Sequence, residues 1–256
     1  MRGSPLLAML HRDLYVAGKG LVPLLVTALA QPLLLVFILG NVLPRLGIVS
    51  DGYTTVMLPG IAAMSVLAAG IQAVLLPLTV DLGYTREIED RILAPVAVKA
   101  VAIEKLIAGA LQATLAGIVV LPLAILIMHG PVTVDLSHPF FLAVVMLLAG
   151  ILSASLGLFI GTLVDSKMLS MMFSLVIGPL VMFGCVYYPW RGLENVPWMQ
   201  KLTLFNPLVY IGEGVRAVLT PNVPHMNVWL IACGLLFFIS LFSWLAAAGF
   251  QRRTIH

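Results

Sequence analysis

The chain has 256 residues, 61% of them hydrophobic and 10% charged, with a formal net charge of +3 and a mean hydropathy of +1.09. So large an excess of Leu, Ile, Val and Ala exceeds what a soluble core of this size uses, and it identifies an integral membrane protein. The small positive charge is that of cytoplasmic loops rather than of a nucleic-acid-binding surface.

At the start of the chain, Ser4-Pro5 forms an N-cap and first-turn pair. Leu7, Leu10 and Leu14 then fall on one helical face, with Arg12, Tyr15 and Lys19 on another. This pattern predicts an amphipathic helix over about 4–19 lying along the cytoplasmic interface. The apolar run that follows is too long for the core of a signal peptide, and no cleavable leader is expected.

A helix needs roughly 20 apolar residues to cross a bilayer. Six stretches meet that length: about 21–43, 54–80, 100–128 (with its apolar core from 106), 139–164, 168–188 and 226–250. The runs are continuous and do not alternate, which argues for helices rather than strands. Pro23, Pro32, Pro59, Pro77, Pro122 and Pro179 lie inside them and read as kinks.

Between the second and third spans the sequence reads "DLGYTREIEDRILAP". Thr85 is a cap, Glu87 and Glu89 sit near the positive end of a helix, and Pro95 stops it. A short cytoplasmic helix over about 84–95 is expected, with Glu87 and Arg91 paired at i,i+4. Ile88 and Ile92 share an apolar stripe on it, and Arg86, Glu89 and Asp90 complete a charged surface. The mixture of acids, bases and exposed isoleucines suits docking better than topology signalling alone. Glu104 and Lys105, just beyond, read as a helix-end feature of the third span.

His129, Asp135 and His138 share the next loop and read as ordinary loop polarity. In the fourth span Gly150, Ala154, Gly157 and Gly161 form a stripe of small residues for close helix packing, within the chain or between chains. The fifth span carries Met168, Met171, Met172 and Met182, an adaptable wall or simply core. Cys185 and Cys233 lie in apolar stretches and read as small buried hydrophobes, with no metal-site spacing around them.

The segment of about 189–222 is proline-rich and aromatic, and a re-entrant helical passage on the outer side is expected there. Asn206-Pro207 reads as cap and first residue of a helix. Leu208, Ile211, Val215 and Leu219 make its apolar stripe, and Glu213 and Arg216 meet at i,i+3. Ten Lys and Arg fall in the N-terminal tail, the 81–105 segment, the 165–167 link and the C-terminal tail, against four (Arg45, Arg191, Lys201, Arg216) in the alternate loops. That bias places both termini and the 84–95 helix in the cytoplasm of a multi-pass cell-membrane protein.

Three stretches resemble the membrane permease of type-2 ABC exporters. They are "GYTREIEDRILAPVAVKAVAIEKLIAG", "YYPWRGLENVPWMQKLTLFNPLVYIGEGVRAVL" and the amphipathic helix ahead of the first span. The resemblance implies one all-α transmembrane permease domain over 1–256, with Arg86 to Ile92 as the coupling helix that meets the ATPase. It further implies a partner set: a second permease chain, in a homodimer, and two cytoplasmic ATPase subunits that hold ATP and magnesium. No cofactor is expected on this chain and no nucleic acid partner; "GKG" at 18–20 lacks the spacing of a phosphate loop.

A membrane-embedded enzyme would need convergent nucleophiles, bases or metal ligands, and none is in view. An ion-coupled transporter or channel would carry intramembrane acids, whereas the span centres hold neutral Gln31, Gln72, Gln112, Thr114, Ser153 and Ser155. The apolar walls favour an amphiphilic or hydrophobic cargo, such as a drug, a lipid or a lipid-linked glycan.

Overall fold

A computed structural model of the chain describes residues 5–50, 52–83, 98–128, 132–163 and 169–254. The expected coupling helix at 84–95 lies outside these residues. Among them every regular element is helical: α1 Pro5–Phe37, a π-helical turn Ile38–Val42, α2 Leu43–Arg45, α3 Tyr53–Gly83, α4 Val98–Ile127, α5 Pro139–Leu163, α6 Leu169–Met182, a 3-10 turn Trp190–Leu193, α7 Pro197–Thr203, α8 Pro207–Leu219 and α9 Val228–Thr254.

Five helices are long and apolar enough to cross a membrane: Gly20–Arg45, Tyr53–Leu78, Ala102–Ile127, Pro139–Leu163 and Val228–Gly249. The described helical part of the expected fifth span, α6, has 14 residues, a length of about 21 Å at 1.5 Å per residue against a hydrocarbon core of about 30 Å. It ends at Met182, where the chain turns away through Gly184 and Cys185. Cys185 takes a left-handed conformation at φ 52°, uncommon for a residue with a Cβ.

The expected interfacial helix and first span are not separate elements. α1 runs without a break from Pro5 through Gly18 and Gly20 to Phe37 and continues into the π turn. That turn has a use: Asn41 Nδ2 donates to Ile127 O at 2.8 Å, meeting a carbonyl at the end of α4.

α3 is the centre of the bundle. Its span is 78% buried, whereas that of α1 is 22% buried. α1, α4, α5 and α8 pack on α3, and α9 packs on α5 and α8. The small-residue stripe explains how α5 comes so close. A Cβ on Gly157 would stand 2.9 Å from Ile71 Cα, and one on Gly150 would stand 2.5 Å from Ala110 O. The stripe therefore works within the chain, against α3 and α4. Hydroxyls at the span centres are used locally: Ser153 Oγ donates to Ala149 O at 2.7 Å and Ser155 Oγ to Leu152 O at 2.8 Å. Back-bonding of this kind satisfies a buried hydroxyl without a partner helix.

The loops gather at two ends. The α1–α3, α4–α5 and α6–α9 connections meet at one end, hereafter the cap end. There Thr133 N–H donates to Thr55 Oγ1 at 3.3 Å and Asp135 N–H donates to Leu219 O at 2.8 Å. At the opposite end Gly249 of α9 sits against Thr162 of α5.

Candidate functional site: an ionic hub at the cap end

α8 begins as its sequence dictates. Asn206 is the N-cap, accepting from Leu208 N–H at 2.9 Å, with Pro207 in the first turn. The same carboxamide donates to Leu180 O at 2.7 Å, so the cap also fastens α8 to α6. Leu208, Ile211, Val215 and Leu219 are fully buried. Their stripe faces neighbouring helices rather than lipid, because α8 lies among α3, α5 and α9.

Glu213 and Arg216 stand one turn apart on α8, and both are 0% exposed. Arg216 Nη1 donates to Glu213 Oε1. The same oxygen accepts from Trp190 N–H at 2.9 Å, and Oε2 accepts from Met226 N–H at 2.6 Å. Arg216 Nη2 makes longer contacts to Cys185 O at 3.3 Å and Val56 O at 3.4 Å. Arg216 Nε has no hydrogen-bond partner among the described residues.

Two side chains thus reach the N-terminal turn of α3, the turn after α6, the 3-10 turn and the segment entering α9. A buried ion costs several kcal/mol to desolvate, and the cost is met only when the opposite charge and further hydrogen bonds surround it. Here the carboxylate has its cation and two backbone donors, and the guanidinium has its anion and two carbonyls. The 3-10 turn is locked by its own exchange as well: Trp190 Nε1 donates to Gln200 O at 3.1 Å, and Gln200 Nε2 donates back to Trp190 O at 3.3 Å.

The i,i+3 spacing signals the ion pair in the sequence. The backbone partners at 56, 185, 190 and 226 carry no signal, since every residue offers the same amide. Glu104 and Lys105 are both buried near the start of α4, away from the hub. Asp135 lies in the cap-end loop, where side-chain and backbone hydrogen bonds from Ser137 hold its carboxyl below the usual range. Among the described residues no group of His, Cys, Asp and Glu could hold a metal ion. Arg86 to Ile92 lie outside the described residues, and the structure says nothing of their placement.

Among the described residues, an all-helical bundle with five helices long and apolar enough to cross a membrane, closed at one end by a buried ionic hub, is that of a multi-pass membrane protein. Residues 6–220 match the ABC-2 type transporter family, and the chain belongs to that family. It is accordingly the permease subunit of an ABC transporter, a class whose members work with ATPase partners. No curated protein sequence matches the chain.

Proposed function

We propose that the chain is one half of an ATP-driven exporter in the cell membrane, pairing as a homodimer with two cytoplasmic ATPase subunits that hold ATP and magnesium. Both termini are cytoplasmic and the cap end is outermost, from the distribution of Lys and Arg. The run from 168 to 188 supplies a sixth crossing, and the cap from 189 to 222 re-enters the outer leaflet. The family match carries this reading. The placement of buried charge supports it: among the described residues Glu104 and Lys105 lie near the start of α4, and Glu213 and Arg216 lie at the cap end. The described span centres hold neutral groups such as Ser153, Ser155 and Thr114, bonded to backbone carbonyls, which suits driving energy that enters from a partner. Apolar walls suit an amphiphilic or hydrophobic cargo.

Arg86 to Ile92 form the coupling surface in this reading. Ile88 and Ile92 fill an apolar groove of the ATPase, and Arg86, Glu87, Glu89, Asp90 and Arg91 fix register, since charge supplies orientation more than affinity. Replacing both Ile88 and Ile92 with Asp is expected to abolish co-purification of the co-expressed ATPase while leaving membrane insertion intact. A double variant that retains its ATPase and its transport would place the coupling surface elsewhere.

A further inference from the structure

A cavity of about 330 Å³ opens at the cap end, between the first turn of α3, the 132–135 segment and the end of α8. Its polar wall is Thr55, Thr133, Asp135, Thr220 and Asn222. The wall is braced by backbone: Asp135 N–H donates to Leu219 O at 2.8 Å, and Thr133 N–H donates to Thr55 Oγ1 at 3.3 Å. The volume is at the lower end of small-molecule sites, enough for one headgroup and not for a whole amphiphile.

Two features give the cavity a negative sign. One is the Asp135 carboxylate, whose Oδ1 accepts from Ser137 N–H at 2.8 Å. A carboxylate in this exposed setting is ionised at neutral pH in any case; the Ser137 hydrogen bonds lower its pKa further, and His138 is the one titratable neighbour that acts on it by charge among the described residues. The other is the C-terminal end of α8, which supplies Leu219 and the C-cap Thr220 to the wall and carries the partial negative charge of a helix end. Arg216 does not cancel this sign, because its charge is matched by Glu213 in the buried hub. No lining residue is Lys or Arg.

From this juxtaposition of a carboxylate, a helix C-terminus, three threonines and a carboxamide around one headgroup-sized cavity, we propose that the site binds a primary ammonium flanked by hydroxyls. An amino sugar or an amino alcohol headgroup has that chemistry. The carboxylate and helix end take the ammonium, and Thr133, Thr220 and Asn222 exchange hydrogen bonds with the hydroxyls. The inference rests on the proposed export function for its purpose: the site receives the polar head of the cargo at the outer face while the apolar part stays in lipid. Such a station must be weak enough to release what it receives.

The full chain in nanodiscs of zwitterionic phosphatidylcholine, without ATPase, is titrated with glucosamine, glucose, ethanolamine and ethylene glycol by saturation-transfer NMR. Glucosamine is expected to bind about threefold more tightly than glucose, the difference an ion pair with a solvent-exposed carboxylate makes, and to weaken with added salt. Asp135→Asn keeps the acceptor for Ser137 and is expected to erase the preference for the ammonium. Asn222→Leu fills the cavity from the other side and is expected to remove binding with the carboxylate intact. Ethanolamine matching glucosamine identifies a lipid-type headgroup, and ethanolamine binding more weakly identifies an amino sugar. Equal binding of glucose and glucosamine, or wild-type binding by both variants at an unchanged thermal transition, overturns the proposal. Because no ATPase is present, that failure leaves the exporter reading untouched, and loss of ATPase co-assembly leaves this site untouched.

Discussion

The two halves of the bundle are held together by different physics. Along α3, α4 and α5 the contact is between backbones, brought within reach by Gly70, Gly150 and Gly157; Ser153 and Ser155 turn back onto their own helix, and Thr114 Oγ1 bonds Ala110 O of its own helix with a longer contact to Met146 O of α5. At the cap end the contact is polar and long-range, with Glu213 and Arg216 binding groups at 56, 185, 190 and 226. The first scheme suits a membrane interior, where apolar side chains gain nothing by leaving lipid and close packing is what remains. The second suits a place where short, irregular segments expose amides that have no helix to satisfy them. The difference implies that the packed half tolerates polar change poorly and volume change worse, while the cap fails by loss of charge balance.

The sharpest way to break the comparison is at the hub. Arg216→Ala leaves the Glu213 carboxylate buried beside two backbone donors and without its cation. A loss of about 3–5 kcal/mol of stability is expected, read as a large fall in the thermal transition and in correctly folded yield. Pairing Arg216→Met with Glu213→Gln removes both charges and is expected to recover a substantial part of that loss, since a neutral pair carries no stranded ion. If the double variant is as damaged as Arg216→Ala, shape rather than charge holds the cap.

The packed half is tested by volume. Gly157→Leu drives a side chain into Ile71, whose Cα and O lie 2.9 and 3.0 Å from the position of an added Cβ. Overpacking of this kind costs about 1–3 kcal/mol, and here the obstacle is backbone, which cannot rotate aside. A lowered thermal transition is expected with the cap hydrogen bonds intact, whereas Gly178→Ala, with open space around it, is expected to be near neutral. A Gly157→Leu chain as stable as wild type would mean that α3 and α5 are not in close contact.

Legibility in the sequence follows the same division. Five of the expected crossings are visible as continuous apolar runs because a membrane span is a property of one segment read by itself. The start of α8 is visible too, since capping and proline placement are local chemistry. The unbroken course of α1 was not visible: Gly18 and Gly20 and the shift from an amphipathic to an apolar pattern look like a boundary, yet glycine only weakens a helix. The early end of α6 is not visible either, because the reversal at Gly184 and Cys185 meets groups distant in the sequence: Leu208 lies against Gly184, and Arg216 Nη2 reaches Cys185 O. The ion pair could be read from its i,i+3 spacing, but not its role as a hub, which depends on amides that carry no signature.

The most local of these tests falls on Asn206, where the two schemes touch. Its carboxamide oxygen caps α8 through Leu208 N–H, and its nitrogen reaches Leu180 O on α6. Asn206→Asp keeps the cap and removes the donor; Asn206→Ala removes both. Loss of an N-cap costs about 1 kcal/mol, and a single neutral hydrogen bond contributes about 1 kcal/mol. Asn206→Ala is therefore expected to lower stability by about 2 kcal/mol, a modest shift of the thermal transition. For Asn206→Asp the position is different: the charge favours the helix N-terminus but faces a carbonyl oxygen 2.7 Å from the old nitrogen. That repulsion acts on the α6–α8 junction alone, so proteolysis or cysteine labelling near Met182 is expected to rise while α8 itself stays folded. If Asn206→Asp loosens nothing near Met182, the bond to Leu180 O does not hold α6 to α8.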